Sequence, residues 1–338
     1  MYANKRIAAV IPAYNEEGFI GEVIRTLPRY IDRAYVIDDG STDGTWDEIK
    51  EHAERMEPDG GTAISTASDT SVIQPEPRPD IVPIQHQTNQ GVGAAIKTGY
   101  RRALADEMDV TTVIAGDGQT EPDIVERIVK PVATDQGDYS KGNRMLTREG
   151  MPPLRQFGNF VLALLTKIAS GYWKVNDPQN GSTAISLDAL QAIDLDALYD
   201  GYGFANDLLV RLNVHGMRVV DVPRRAVYKD ETSHIDFKSF VVTVSWLLLK
   251  DFLWRLRVKY LERDFHPLAL FYFGGAATAA TGFAGMIRDL RGETSLSRSN
   301  GTVLFILGWV LMLLAMVFDL EVNEHLQSMG EEPPNDSP

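Results

Sequence analysis

The chain has no cysteine. Disulfides, thiolate zinc sites, iron–sulfur clusters and cysteine nucleophiles are therefore excluded. Basic residues are in the minority, 33 Lys and Arg against 47 Asp and Glu, for a net charge of −14. A general nucleic-acid binder needs a basic face, so the balance argues against that class. Acidity of this order suits solubility in high salt, as in a halophilic source. The six histidines (52, 86, 215, 234, 266 and 325) show no ligand spacing, and none is given a role. No signal peptide opens the chain: the apolar run in MYANKRIAAVIPAYNEE is broken by Pro12, Asn15, Glu16 and Glu17, and reads as a buried strand. The glycine-rich NQGVGAAIKTG (89–99) has no Gly-Lys-Ser/Thr, so it is not a P-loop. Ile96 stands where a dinucleotide fingerprint needs its third glycine, which argues against an NAD-dependent oxidoreductase.

What is present is a regular alternation over the first 235 of 338 residues. Apolar, β-branched runs at 7–14, 34–41, 80–86 and 110–116 are separated by helix-period segments at 16–28, 42–56, 91–107 and 121–133. Strands separated by helices predict an α/β fold with a mostly parallel sheet and helices on both faces. Ligands of such sheets bind beyond the carboxyl ends of the strands. Residues 57–79, rich in Gly, Ser, Thr and Pro and without periodicity, read as a mobile insertion.

The last third differs. PLALFYFGGAATAATGFAGMI (267–287) and SNGTVLFILGWVLMLLAMVF (299–318) carry no charge. Each is long enough to cross a hydrocarbon layer of about 30 Å. Two transmembrane helices are therefore expected within 266–320, with small residues for close helix packing. Residues 236–265 mix Trp246 and Trp254 with Lys250, Arg255, Arg257, Lys259 and Arg263, the composition of an interfacial amphipathic helix. Counting Lys and Arg on either side favours a cytoplasmic catalytic domain. Residues 321–338 read as a disordered tail.

Chemistry-bearing residues gather at the predicted strand ends. PAYNEE, after the first strand, offers an aromatic face and a carboxylate. VIDDGSTDGT, after the second, offers two adjacent carboxylates, and one can accept from a base N–H. GDGQTEPD, after the fourth, puts the hard anionic oxygen of Asp117 two residues from the amide of Gln119, between glycines that permit close approach. Such oxygens suit Mg²⁺ or Mn²⁺, which take few protein ligands and complete their shells with water and phosphate oxygens.

In this order and spacing, IPAYNEE, VIDDGSTDGT, NQGVGAAIKTGY and GDGQTEPD resemble family 2 glycosyltransferases of the GT-A fold. KGNR (141–144), DPQNGSTAIS (177–186) and GYGFANDLLVRL (201–212) are similar to the polyprenyl-phosphate branch, the dolichyl-phosphate mannose and glucose synthases. The resemblance covers about residues 5–235. It implies inverting, metal-dependent transfer of a hexose from a UDP- or GDP-linked sugar to a polyprenyl phosphate. Pro12, Tyr14 and Glu16 match positions that hold the nucleoside, and Asp39 the base-reading carboxylate. Asp117 and Gln119 match the metal and diphosphate site. Arg144 matches an arginine that meets phosphate, and Arg155 a second one facing the acceptor. Asp177 and Gln179 match a loop near the sugar and acceptor, and Asp207 a catalytic or sugar-binding acid. One position departs from the pattern: the acidic motif usually reads Asp-x-Asp, and Ala115 replaces its first carboxylate. A catalytically silent nucleotide-sugar-binding membrane protein is the competing reading that this alanine supports. A transferase acting on a lipid-linked sugar is a second. A processive synthase is disfavoured, because no Gln-x-x-Arg-Trp occurs. Surface ion pairs are the expectation for Arg224 and Arg225.

Overall fold

A computed structural model describes residues 1–56, 78–118, 122–144, 153–224, 237–291 and 298–331. Gln119, Arg225 and all of the 57–79 insertion except Arg78 and Pro79 lie outside these residues. The first half alternates as expected: β1 (Ile7–Ala13), α1 (Ile20–Arg25), β2 (Arg33–Asp38), α2 (Thr45–Met56), β3 (Asp80–Gln85), α3 (Val92–Ala105), β4 (Val110–Val113) and α4 (Pro122–Ala133). Then come β5 (Tyr139–Asn143), α5 (Pro153–Ser170), β6 (Thr183–Ser186), α6 (Leu187–Ala192), α7 (Phe204–Val214) and β7 (Val219–Pro223). The C-terminal part is α8 (Phe237–Arg257), a π-helical turn (Val258–Arg263), α9 (Leu268–Leu290), α10 (Arg298–Asn323) and β8 (Gln327–Met329).

The strands form one sheet in the order β3-β2-β1-β4-β6-β5-β7-β8. Only β6 runs against its neighbours. The period of two along β1 shows why both faces are covered. Ala8 and Val10 join a core with residues of α3, α6 and α7, while Ile7, Ala9 and Ile11 join a second core with residues of α1 and α4.

α8 lies along α5 and α7. Val244 and Leu248 are buried against Leu162, Ala169 and Val210. Its opposite side exposes Val242, Trp246, Leu249 and Leu253, an apolar stripe at helical spacing. Two of the basic residues expected at a headgroup surface are instead internal. Arg255 is wholly buried, bonded to Asp319 of α10 and to the carbonyls of Ile168 and Ala169. Lys259 donates to the Asn213 carbonyl and side chain and to Asn323. Burial of polar backbone ends at this junction requires donors, and these cations supply them.

α9 and α10 are both long and apolar enough to cross a membrane, and few of their residues are buried within the chain. They pack as an antiparallel pair at glycines. A Cβ on Gly282 would lie 2.3 Å from the Phe305 nitrogen, and one on Gly308 2.3 Å from that of Ala279. The described part of the expected tail is not a loose end. Residues 321–323 finish α10, and β8 adds in parallel to β7, pairing Val219 with Gln327 and Asp221 with Met329. β7 would otherwise leave an open edge, and three residues suffice to cover it.

Candidate active site

β1 lies between β2 and β4, so the turns leaving these three strands meet at one edge. The Asp39 N–H donates to the Ala13 carbonyl at 2.8 Å, and the Gly116 N–H to the Pro12 carbonyl at 3.3 Å. A Cβ at Gly116 would stand 2.9 Å from that Pro12 oxygen, so glycine is needed for the approach. The PAYNEE and DDGSTDGT turns are laced together. Asn15 accepts from the Thr42 N–H, Glu17 accepts from the Gly44 N–H, and the Thr45 hydroxyl oxygen accepts from the Glu16 N–H.

At this edge opens a cavity of about 430 Å³. Pro12, Tyr14, Glu16, Asp39, Ala115 and Asp117 line it, so the structure brings together the residues expected at the nucleoside and metal sites. Asn89, Gly91, Val92, Gly201 and Tyr202 close it from the β3–α3 turn and the loop before α7. The two adjacent aspartates divide their work. Asp38 is wholly buried, its oxygens accepting from the Ser41 N–H and the Gln85 amide. Asp39 faces the cavity and accepts from His86 Nδ1 at 2.7 Å and from the N–H groups of Gln90 and Gly91 at 3.0 and 2.8 Å. His86, which has no role in the sequence reading, is thus fixed behind Asp39, with Nε2 2.9 Å from the Thr98 hydroxyl. No spacing rule could find it, because the two residues lie 47 positions apart.

Of the remaining expected residues, Arg144, Asp177, Gln179 and Asp207 are not among those lining the cavity. Arg144 and Asp177 pair with each other, Nε to Oδ2 at 2.8 Å. Burial raises the Asp177 pKa, but the Arg144 hydrogen bond and charge and the Lys141 charge outweigh it, and the net direction is down. Lys141, wholly buried in β5, donates to the Asp177 carbonyl, and its pKa is lowered by burial. Gln179 has a buried Nε2 without a hydrogen-bond partner among the described residues. Arg224, expected in a surface ion pair, is buried instead and donates to the Ser182 hydroxyl at 2.7 Å. The β7 edge carries it inward beside the 177–182 loop. Together these residues make a polar cluster at the carboxyl ends of β5 and β7. Arg155 belongs to α5, and its side chain lies outside the described residues, as does Gln119.

Asp207 sits in the first turn of α7, accepting from the Tyr199 N–H at 2.8 Å and from Arg211 at 2.7 Å. Burial raises its pKa. In this position it fixes the loop that carries Gly201 and Tyr202 to the cavity. That loop also grips α3: the Asp200 carbonyl accepts from the Ala94 N–H, and Lys97 pairs with the Asp200 carboxylate.

For a divalent ion the described donor set is small. No group of three or more His, Asp or Glu residues able to hold a metal occurs among the described residues. Asp117, a single carboxylate at the cavity wall, still fits Mg²⁺ or Mn²⁺, which take one or two protein carboxylates when substrate phosphates complete the shell.

The model of the family described as Glycosyl transferase family 2 matches residues 8–193. A Methanococcus voltae protein named UDP-N-acetylglucosamine–dolichyl-phosphate N-acetylglucosaminyltransferase is 28% identical over 232 residues, covering 68% of this chain and 88% of its own. The undecaprenyl-phosphate mannosyltransferase of Micrococcus luteus is 30% identical over 227 residues, covering 64% of this chain and 82% of its own. Among solved structures, glucosyl-3-phosphoglycerate synthase from Mycobacterium tuberculosis, in complex with Mn²⁺, UDP and phosphoglyceric acid, superimposes with a TM-score of 0.52 at 20% identity, covering 75% of this chain and 79% of its own. That likeness concerns the fold.

Proposed function

The chain belongs to glycosyl transferase family 2, and from that premise we propose that it transfers a hexose from a UDP- or GDP-linked sugar to a polyprenyl phosphate at the cytoplasmic face of a membrane. The observation that carries the reading is the convergence of Tyr14, Glu16, Asp39 and Asp117 on one cavity at the carboxyl edge of the sheet. The relatives named for dolichyl- and undecaprenyl-phosphate transfer support the acceptor class. The α9–α10 pair and the exposed apolar stripe of α8 support a bilayer-held enzyme that meets its acceptor at the lipid surface. β8 supports the topology, since it follows α10 directly and pairs with β7 of the sheet.

In this reading Tyr14 and Asp39 hold the nucleoside, and Asp117 and Gln119 hold the divalent ion. An ion held there would supply charge neutralisation for a nucleoside diphosphate leaving group. The acceptor phosphate attacks the anomeric carbon from the face opposite the leaving group, inverting its configuration. A phosphate monoester, with a second pKa of about 6, is already largely ionised near neutrality, so no strong base is required. Arg144 and Arg155 orient it by charge-assisted hydrogen bonds, with Asp177 and Gln179 beside them and Asp207 holding the loop over the sugar.

The test is transfer of label from UDP-glucose, GDP-mannose and related donors into lipid extract, using membranes that contain the protein. Acid-labile labelled lipid is expected from one donor with Mg²⁺ or Mn²⁺. It should vanish with EDTA and in Asp117→Ala. Nucleotide binding without product from any donor would instead establish the silent binding protein that Ala115 suggests.

A further inference from the structure

Asp39 is nearly saturated by the protein itself, and what remains limits the base it can read. A carboxylate offers about four acceptor positions, two on each oxygen. Oδ1 accepts from His86 Nδ1 at 2.7 Å and from the Gln90 N–H at 3.0 Å, which fills it. Oδ2 accepts from the Gly91 N–H at 2.8 Å. A carboxylate cannot donate, so Nδ1 of His86 carries a proton in this contact. One acceptor position, on Oδ2, is left for a ligand in the cavity.

Beside it stands Asn89. Its Oδ1 accepts from the Gly91 N–H at 3.1 Å, which turns the amide so that Nδ2 is the end left over. Nδ2 makes no hydrogen bond among the described residues, and Asn89 lines the cavity. At this corner of the wall Asp39 and Asn89 therefore present one acceptor and one amide donor. Uracil offers a matching edge, a single N–H flanked by carbonyls. Guanine offers two adjacent donors, its ring N–H and its amino group, and a carboxylate with one position left serves only one of them.

We propose that the cavity selects a uracil nucleotide over a guanine nucleotide, and that His86 is the positioning residue that enforces the choice by occupying Oδ1. The proposal rests on the nucleotide-sugar reading and narrows its donor to the UDP-linked class. His86 acts through Asp39 and is itself held from behind by Thr98, whose hydroxyl lies 2.9 Å from Nε2.

The experiment is calorimetric titration of the full chain in detergent with UDP and with GDP, each with Mn²⁺, for wild type, His86→Ala and His86→Asn. Wild type is expected to bind UDP at least about tenfold more tightly than GDP, the effect of one unpaired buried donor. His86→Ala should weaken UDP binding about tenfold and pull the UDP-to-GDP ratio toward one, because an Asp39 released from Nδ1 can turn to offer a second acceptor position to the base. His86→Asn, whose amide can still donate to Oδ1, should keep the wild-type ratio. A purely structural role for His86 would move both nucleotides together and leave the ratio unchanged, which overturns the positioning assignment. Equal or tighter binding of GDP by wild type overturns the uracil selection while leaving the transferase reading intact. Binding of neither nucleotide overturns both.

Discussion

The Arg255 guanidinium and the Asp319 carboxylate meet two on two, Nη1 to Oδ1 at 2.8 Å and Nη2 to Oδ2 at 2.9 Å, with both side chains wholly buried. The pair joins α8 to α10, and the same arginine reaches the last carbonyls of α5 through Ile168 and Ala169. Tyr260 and Asn323 complete the junction by donating to Asp319 Oδ1. The α/β domain, α8 and the α9–α10 pair are thereby fastened at one point.

Breaking one side of such a pair strands a buried charge, which costs about 3–5 kcal/mol. Asp319→Ala is therefore expected to lower the thermal unfolding midpoint in detergent by several degrees. Removing both charges, as Arg255→Met with Asp319→Leu, should recover part of the loss. A double variant no better than the single one would show that the arginine's bonds to the α5 carbonyls, not the ion pair, hold the junction.

Asp251 is the next group inward along α8. Its Oδ2 is buried with no hydrogen-bond partner among the described residues, and burial, with the Asp207 charge adding, pushes its pKa up to about 7, while Arg211 and Lys250 pull the other way. A carboxyl whose pKa is raised by folding favours the folded state while it stays protonated. Its contribution is full below the unfolded pKa near 4 and is lost as pH rises to about 7. The unfolding midpoint of wild type should fall between pH 5 and pH 8. In Asp251→Asn that fall should be smaller, with a higher midpoint at pH 8. Identical pH profiles for the two proteins would remove Asp251 from the account.

Ala115 lines the cavity beside Asp117, at the position where the related motif carries a second carboxylate. Restoring it adds a hard oxygen donor for a divalent ion. Ala115→Asp is expected to lower the Mn²⁺ concentration giving half-maximal transfer several-fold, measured at saturating nucleotide sugar. An unchanged metal requirement would mean that the alanine side faces away from the ion.

The parts of this molecule that were legible in the sequence are those where one physical signal dominates. β1, β2 and β4 are buried on both faces, so they read as continuous apolar runs between helix-period segments. β3 is flanked rather than covered, and it read through its β-branched residues. β5 was missed because its centre is Lys141 and Gly142, polar and small yet buried, which tertiary partners alone make acceptable. β8 has only three residues, and its partner β7 lies over 100 positions earlier. In the site, Asp39 and Asp117 stood out as strand-end carboxylates. His86 and Tyr202 did not: the pairing of β2 with β3 brings His86 to Asp39, and the loop before α7 brings Tyr202 to the cavity, and no local pattern marks either. The basic run of α8 misled for a related reason: composition cannot say which of five cations faces a buried aspartate.

Gly93 tests whether the loop before α7 matters to the cavity. A Cβ there would lie 2.6 Å from the Tyr199 carbonyl oxygen and 2.7 Å from that of Asp200. Both are backbone atoms, so the loop itself must move. The loop is pinned from three other directions: Asp207 accepts from the Tyr199 N–H, Lys97 donates to the Leu198 carbonyl, and the Asp200 carbonyl accepts from the Ala94 N–H. Gly201 and Tyr202 follow these pinned residues, and both line the cavity. Overpacking of this kind costs about 1–3 kcal/mol, and a shift of the Tyr199–Asp200 backbone carries the adjoining cavity wall with it. Gly93→Ala is therefore expected to raise the KM for the nucleotide sugar about tenfold while the circular dichroism spectrum stays that of wild type. Gly274→Ala, in α9 with nothing within 4 Å of the added carbon, is the matched control and should leave KM unchanged. A Gly93→Ala enzyme with wild-type KM would show that the loop yields without disturbing the donor, and would remove Tyr202 from the working wall of the site.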